Sequence, residues 1–69
     1  MRYAVVIEKA DGNYSAYVPD LPGCVTSGDT VDEVKEAIRE AVRIHIESLR
    51  QHGEEVPPPS ITTCTVPAA

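Results

Sequence analysis

Hydrophobic and polar positions repeat with two periods along this chain, and the change from one to the other marks its elements. From Thr30 to His52 the apolar residues Val31, Val34, Ile38, Ala41, Val42 and Leu49 recur at helical spacing and fall on one stripe. Asp32, Glu33, Glu36, Arg39, Glu40, Arg43, Glu47 and Arg50 fall mostly on the opposite side. Both ends of this helix are encoded locally. Thr30 suits the N-cap, and Glu33 is placed to reach back in a capping box. Asp29, Asp32 and Glu33 suit the positive end of the helix dipole, Arg50 and His52 the negative end, and Gly53 the C-cap. Ile44 and Ile46 lie on either flank of the stripe, so it is wider than a sheet alone requires.

Outside this stretch the period is two. Arg2 to Lys9 reads as a strand with Tyr3, Val5 and Ile7 on one face and Ala4 and Val6 on the other. Ala10-Asp11-Gly12-Asn13 is a turn, and Tyr14 to Val18 returns as a second, antiparallel strand. Pro19-Asp20-Leu21-Pro22-Gly23 excludes regular structure, because its prolines withhold backbone donors and Gly23 permits a sharp bend. Cys24 to Ser27 is a short third strand. After the helix, Val56-Pro57-Pro58-Pro59 is a stiff connector, and Ser60 to Val66, rich in Thr and β-branched residues, is expected to be a fourth strand.

The predicted order is therefore β-β-β-α-β. It specifies an α+β fold with a four-stranded mixed sheet of order 3-2-1-4 and the helix across one face. The fourth strand would run parallel to the first after a right-handed crossover. The opposite sheet face is left uncovered. Ala4 and Val6 would line it, with either the Tyr14 set or the Tyr17 set beside them. An exposed apolar face of this kind marks an interface. Ala4, Val6, Tyr17 and Ile46 are accordingly the candidate contacts of a homodimer or tetramer, with Ile44 and Ile46 meeting the fourth strand or a second subunit.

Length and charge narrow the function. Sixty-nine residues make one domain, 1–69, and a chain of this size buries only about 60% of its unfolded surface. Association is the cheaper route to further burial. Cys24 and Cys64 lack metal-ligand spacing, no secretory leader pattern opens the chain, and free thiols packed in the core of a cytoplasmic protein are expected. No apolar run approaches the ~20 residues of a membrane span. A net charge of −5 argues against direct nucleic-acid binding and suits a basic partner, although it also serves solubility.

The residues offer little for catalysis. His45 on the apolar side of the helix reads as a packed core histidine, and His52 as a dipole partner. Asp20, Asp29 and Glu33 could cluster, but helix capping accounts for Asp29 and Glu33. No metal site, cofactor site or nucleophile–base pair is expected. The segment Pro19–Gly23 has two compatible readings, a structural turn or a rigid edge feature that presents Asp20 and Leu21.

Pro19-Asp20-Leu21-Pro22-Gly23-Cys24, then Gly28-Asp29-Thr30, Glu33 and the Ala37/Ala41 helix, then Gly53 with Val56-Pro57 and Pro59, resembles the HicB family of antitoxins. The resemblance runs in order along nearly the whole chain. It implies a degenerate, partial ribonuclease H-like fold. A nuclease of that kind needs converging carboxylates on two metal ions. Here the middle of strand one is Val5, Val6 and Ile7, and strand four contains no acid, so the resemblance does not bring catalysis with it. It implies instead a domain that binds and blocks HicA, a small basic ribonuclease with a catalytic histidine. Asp20, Leu21, Glu36, Glu40 and Glu47 are the candidate contacts with such a toxin. Family members often carry a C-terminal DNA-binding module; here the expectation is a stand-alone HicB-like domain, and operator binding is not carried over. The other reading is a solitary homo-oligomeric scaffold or regulatory protein without a cognate toxin.

Overall fold

The computed structural model describes residues 1–69, and the helix expected from the apolar stripe is α1, Val31–Gln51. Its ends follow the local signals. The Thr30 hydroxyl accepts the Glu33 N–H at 3.1 Å, while the Glu33 carboxylate accepts the Asp29 N–H at 3.0 Å. Gly53 takes φ +69°, and its N–H reaches the Arg50 carbonyl while that of Glu54 reaches Leu49. This pair of bonds is a Schellman closure, satisfying carbonyls that the last turn would otherwise orphan. His52 adds its Nδ1 at 2.7 Å from the Ser48 carbonyl oxygen.

The floor beneath α1 is a three-stranded antiparallel sheet in the order β1-β2-β3, with β1 Val6–Ala10, β2 Asn13–Tyr17 and β3 Val25–Gly28. The β1–β2 hairpin pairs Val6 with Tyr17 and Ala10 with Asn13; β2–β3 pairs Tyr17 with Val25 and Tyr14 with Gly28. The hairpin turns through Asp11-Gly12, where Gly12 alone has positive φ, +79°, the sign pattern of a type II turn. Gly28 is required for a different reason. A Cβ there would lie 3.1 Å from the Val34 nitrogen, so its absence lets the end of β3 come up against the first turn of α1.

The helix takes the face carrying Tyr14, Ala16 and Val18. Ala16, Val18, Leu21, Cys24, Val34 and Ile38 form the buried core, flanked by Tyr3, Val5, Ile7, Ala41, Val42, Ile46 and Leu49. Two expectations are corrected here. The first strand begins at Val6 rather than Arg2, because β2 ends at Tyr17, ahead of Pro19, and leaves residues 2–5 no ladder partner.

The second correction concerns the expected fourth strand. Residues 60–66 carry no regular structure, lie exposed, and share no backbone–backbone hydrogen bond with the rest of the chain. Their β-branched composition favours a pleated surface but supplies no neighbour. The base of this arm is tied down instead. The Tyr3 hydroxyl donates to the Pro57 carbonyl, and Asp20 accepts both the N–H and the hydroxyl of Ser60. The result is an elongated molecule of 46 × 26 × 16 Å with a radius of gyration of 13.4 Å. A compact chain of this length would have about 11 Å.

Candidate functional site

Strand parity places the outer sheet face. Because Tyr14, Ala16 and Val18 turn toward α1, Tyr17 turns away, and the register lines it up with Val6 on one side and Val25 on the other. The row Val6–Tyr17–Val25 thus crosses all three strands on the side no element covers, with Tyr17 40% and Val25 65% exposed. The next row on that face is Glu8, Ser15 and Ser27, so an acid and two hydroxyls border the apolar strip. Ala4, expected on this face, is half-buried beyond the paired part of β1. Ile46, expected at an interface, packs against the core of its own chain; Ile44 is the flanking isoleucine left exposed. Val25 was not foreseen, although the parity of the β2–β3 hairpin would have put it beside Tyr17.

On the outer side of α1, Glu36, Glu40 and Glu47 are exposed as the sequence suggests, but none stands alone. Arg39 lies 3.7 Å from Glu36. Arg43 sits between two acids, its Nη1 2.9 Å from Glu47 and its Nε 3.1 Å from Glu40. The hydrogen bonds from Arg43 lower the Glu40 pKa below the ordinary carboxylate value, and Glu40 in turn raises that of Arg43. Such exposed pairs add little to stability. Their effect is to interleave positive charge with the acidic face.

The loop from Val18 to Cys24 resolves the two readings of the proline segment. Leu21 N–H bonds the Val18 carbonyl, Cys24 N–H bonds that of Leu21, and Val18 N–H closes the loop on Cys24. The three residues that these bonds link, Val18, Leu21 and Cys24, are all buried. Leu21 is fully buried, so the expectation that it meets a partner is corrected: it plugs the core. Asp20 points the other way and holds Ser60. Its pKa is lowered chiefly by the Ser60 hydroxyl, then by the Ser60 N–H, against a smaller desolvation effect. Ser60 is the partner that sequence reasoning missed, forty residues away in the chain.

The remaining chemistry-bearing residues do not converge. Cys24 is buried, which raises its thiol pKa, whereas Cys64 is exposed on the arm, correcting the expectation that both pack in the core. His45 lies at the edge of a shallow cavity with Cys24, Val25 and Ile44. Three or more His, Cys, Asp or Glu side chains nowhere come together as a metal-ligand group. No helix is long and apolar enough to cross a membrane. What the geometry offers is surface, an apolar strip with an acidic border and a charged helix face.

A family model described as "HicB_like antitoxin of bacterial toxin-antitoxin system" matches residues 3–66. The chain belongs to the HicB-like antitoxin family. This HicB-like domain is 46% identical over 69 residues to a UPF0150 protein of Thermoplasma acidophilum, covering 99% of this chain and 100% of that one. It is 35% identical over 60 residues to Antitoxin HicB 1 of Photorhabdus laumondii, where the match covers 86% of this chain but 39% of the relative. It also spans 43% of a protein from the rep-hol intergenic region of Haemophilus phage HP1, at 42% identity over 57 residues and 83% of this chain. Among solved structures, a chain of a HicA3–HicB3 toxin–antitoxin complex superposes with a TM-score of 0.74 and 33% identity, covering 86% of this HicB-like domain and 70% of that chain. The family and the α+β architecture expected from the sequence are thus both met.

Proposed function

We propose that this domain is a protein-binding antitoxin that neutralises a HicA-type mRNA interferase by covering its RNA-binding and catalytic face. The observation that carries this reading is the likeness, at 33% identity, to a chain of a HicA3–HicB3 complex. The mechanism would be steric and electrostatic, needing no cofactor and no chemistry from the antitoxin, and it would operate in the cytoplasm. A net charge of −5 attracts a basic toxin and speeds encounter. With Leu21 in the core and Asp20 engaged by Ser60, contact falls to the outer strip of Val6, Tyr17 and Val25 with Glu8 beside it, supported by Glu36, Glu40 and Glu47. Arg39 and Arg43 make the helix face a steering surface rather than a site of dense negative charge.

The test is co-expression with a neighbouring small basic reading frame. Growth rescue, co-purification and weakening of the complex with salt are expected. A toxic frame that is neither bound nor neutralised overturns the proposal. A salt-insensitive complex removes its electrostatic part. The exposed apolar strip of Tyr17 and Val25 also suits one other reading, a homo-oligomeric scaffold or regulatory protein without a cognate toxin. That reading requires a stable oligomer and no rescue.

A further inference from the structure

The sheet is unfinished on one side, and the chain carries an unused strand. The helix lies over β3 and β2 and touches β1 little. Along the free edge of β1 this leaves an open groove of about 570 Å³, floored by Tyr3, Val5, Ile7, Ile38 and Val42. Residues 2–5, which extend β1 along that groove, have no ladder partner. The backbone donors and acceptors of such an edge are satisfied by water or by an added strand.

The arm has the complementary properties. Ser60–Val66 contains Ile61, Cys64, Val66 and three threonines, and no charged side chain follows Glu55. An uncharged, β-branched segment suits the apolar floor of this groove, which Arg2, Lys35 and Arg39 also line. Its own β1 is not where the arm lies. The Tyr3–Pro57 and Asp20–Ser60 bonds fix its base, and Pro57–Pro59 stiffen its exit.

We infer that the arm of one copy lies along the free β1 edge of a second copy, so that the four-stranded sheet expected from the sequence forms between chains. The occupant is a second copy because each chain holds both halves of the contact. Two such contacts related by a two-fold axis close a dimer and leave neither arm unpaired. Length agrees: seven residues at about 3.3 Å each span about 23 Å, which fits within the roughly 30 Å of β1 with its unpaired start. The other free edge, β3, offers only the four residues Val25–Gly28. The inference is independent of any toxin.

Sedimentation equilibrium on the full chain tests it, with Thr63→Pro to break the arm's pairing and Thr63→Val as the conservative control. Thr63 is exposed, so both variants should keep the wild-type helical circular dichroism. Wild type and Thr63→Val are expected at twice the 7.5 kDa chain mass and Thr63→Pro at that mass itself. A monomeric wild type, or a Thr63→Pro mass equal to wild type, overturns the inference. Hydrogen exchange on the wild type decides independently if Thr63→Pro fails to fold. Protection of the 61–65 amides that fades on dilution supports exchange between copies. Protection unchanged by dilution means pairing within one chain and refutes it.

Discussion

Leu21 decides whether the proline loop is part of the core or part of a binding surface. Its side chain is fully buried among Val18, Cys24, Val34 and Ile38, at the point where the loop closes the gap between β2, β3 and α1. Leu21→Ala removes most of that side chain and leaves a cavity, which costs roughly 2–5 kcal/mol in well-packed sites. Full burial places it at about 3 kcal/mol or above. A chain of 69 residues has a total stability of about 3–10 kcal/mol. The substitution should therefore consume a large part of it. At about 4–8 °C per kcal/mol for a domain of this size, the melting temperature should fall by roughly 12–24 °C. Thermal circular dichroism at one fixed protein concentration measures this, since association would otherwise shift the midpoint. Leu21→Met, which conserves volume, should cost less than about 1.5 kcal/mol. A Leu21→Ala midpoint within about 4 °C of wild type would refute the core assignment, because that shift corresponds to no more than about 1 kcal/mol.

Three further outcomes are expected. Thr30→Ala removes the acceptor of the Glu33 N–H and should cost about 1 kcal/mol, read as a fall in the urea midpoint with unchanged slope. Asp20 has its pKa lowered from 3.8 by the Ser60 hydroxyl, so its hold on Ser60 is complete above 3.8 and is lost as pH falls through the lowered value. The Ser60 amide resonance should titrate in that acidic window and be flat in Asp20→Asn. Val25→Lys, at a 65% exposed position on the outer strip, should leave stability within about 0.5 kcal/mol of wild type and abolish a toxin complex in a pull-down.

The helix was legible because everything that defines it is local: the stripe, the Thr30–Glu33 cap and the Gly53 stop lie within a turn of the residues they govern. The hairpin was legible for the same reason. The failures are non-local. Nothing in Ser60–Val66 says which edge it meets, and residues 2–5 look like the start of β1 only if a neighbour exists. The Asp20–Ser60 contact joins positions whose proximity depends on the whole fold. Leu21 was readable after all. Val18, Leu21 and Cys24 are the apolar residues that recur every third position through the proline segment, and they are the ones its two turns bury. At the partner surface the acids of α1 were visible, and so was the three- and four-residue spacing that pairs Arg39 and Arg43 with them.

The elements β1, β2, β3 and α1 each pack against a neighbour in chain order, so the body of the domain is assembled from short loop closures. Topologies of that kind form quickly and independently of how many molecules are present. Strand exchange has a different rate law, since it waits for a collision. Refolding should then separate into a rapid first-order phase that builds the helix on its hairpins and a slower second-order phase that seals the sheet. A newly made chain would emerge folded but with its sheet still open, and the number of its fellows would set how soon it matures.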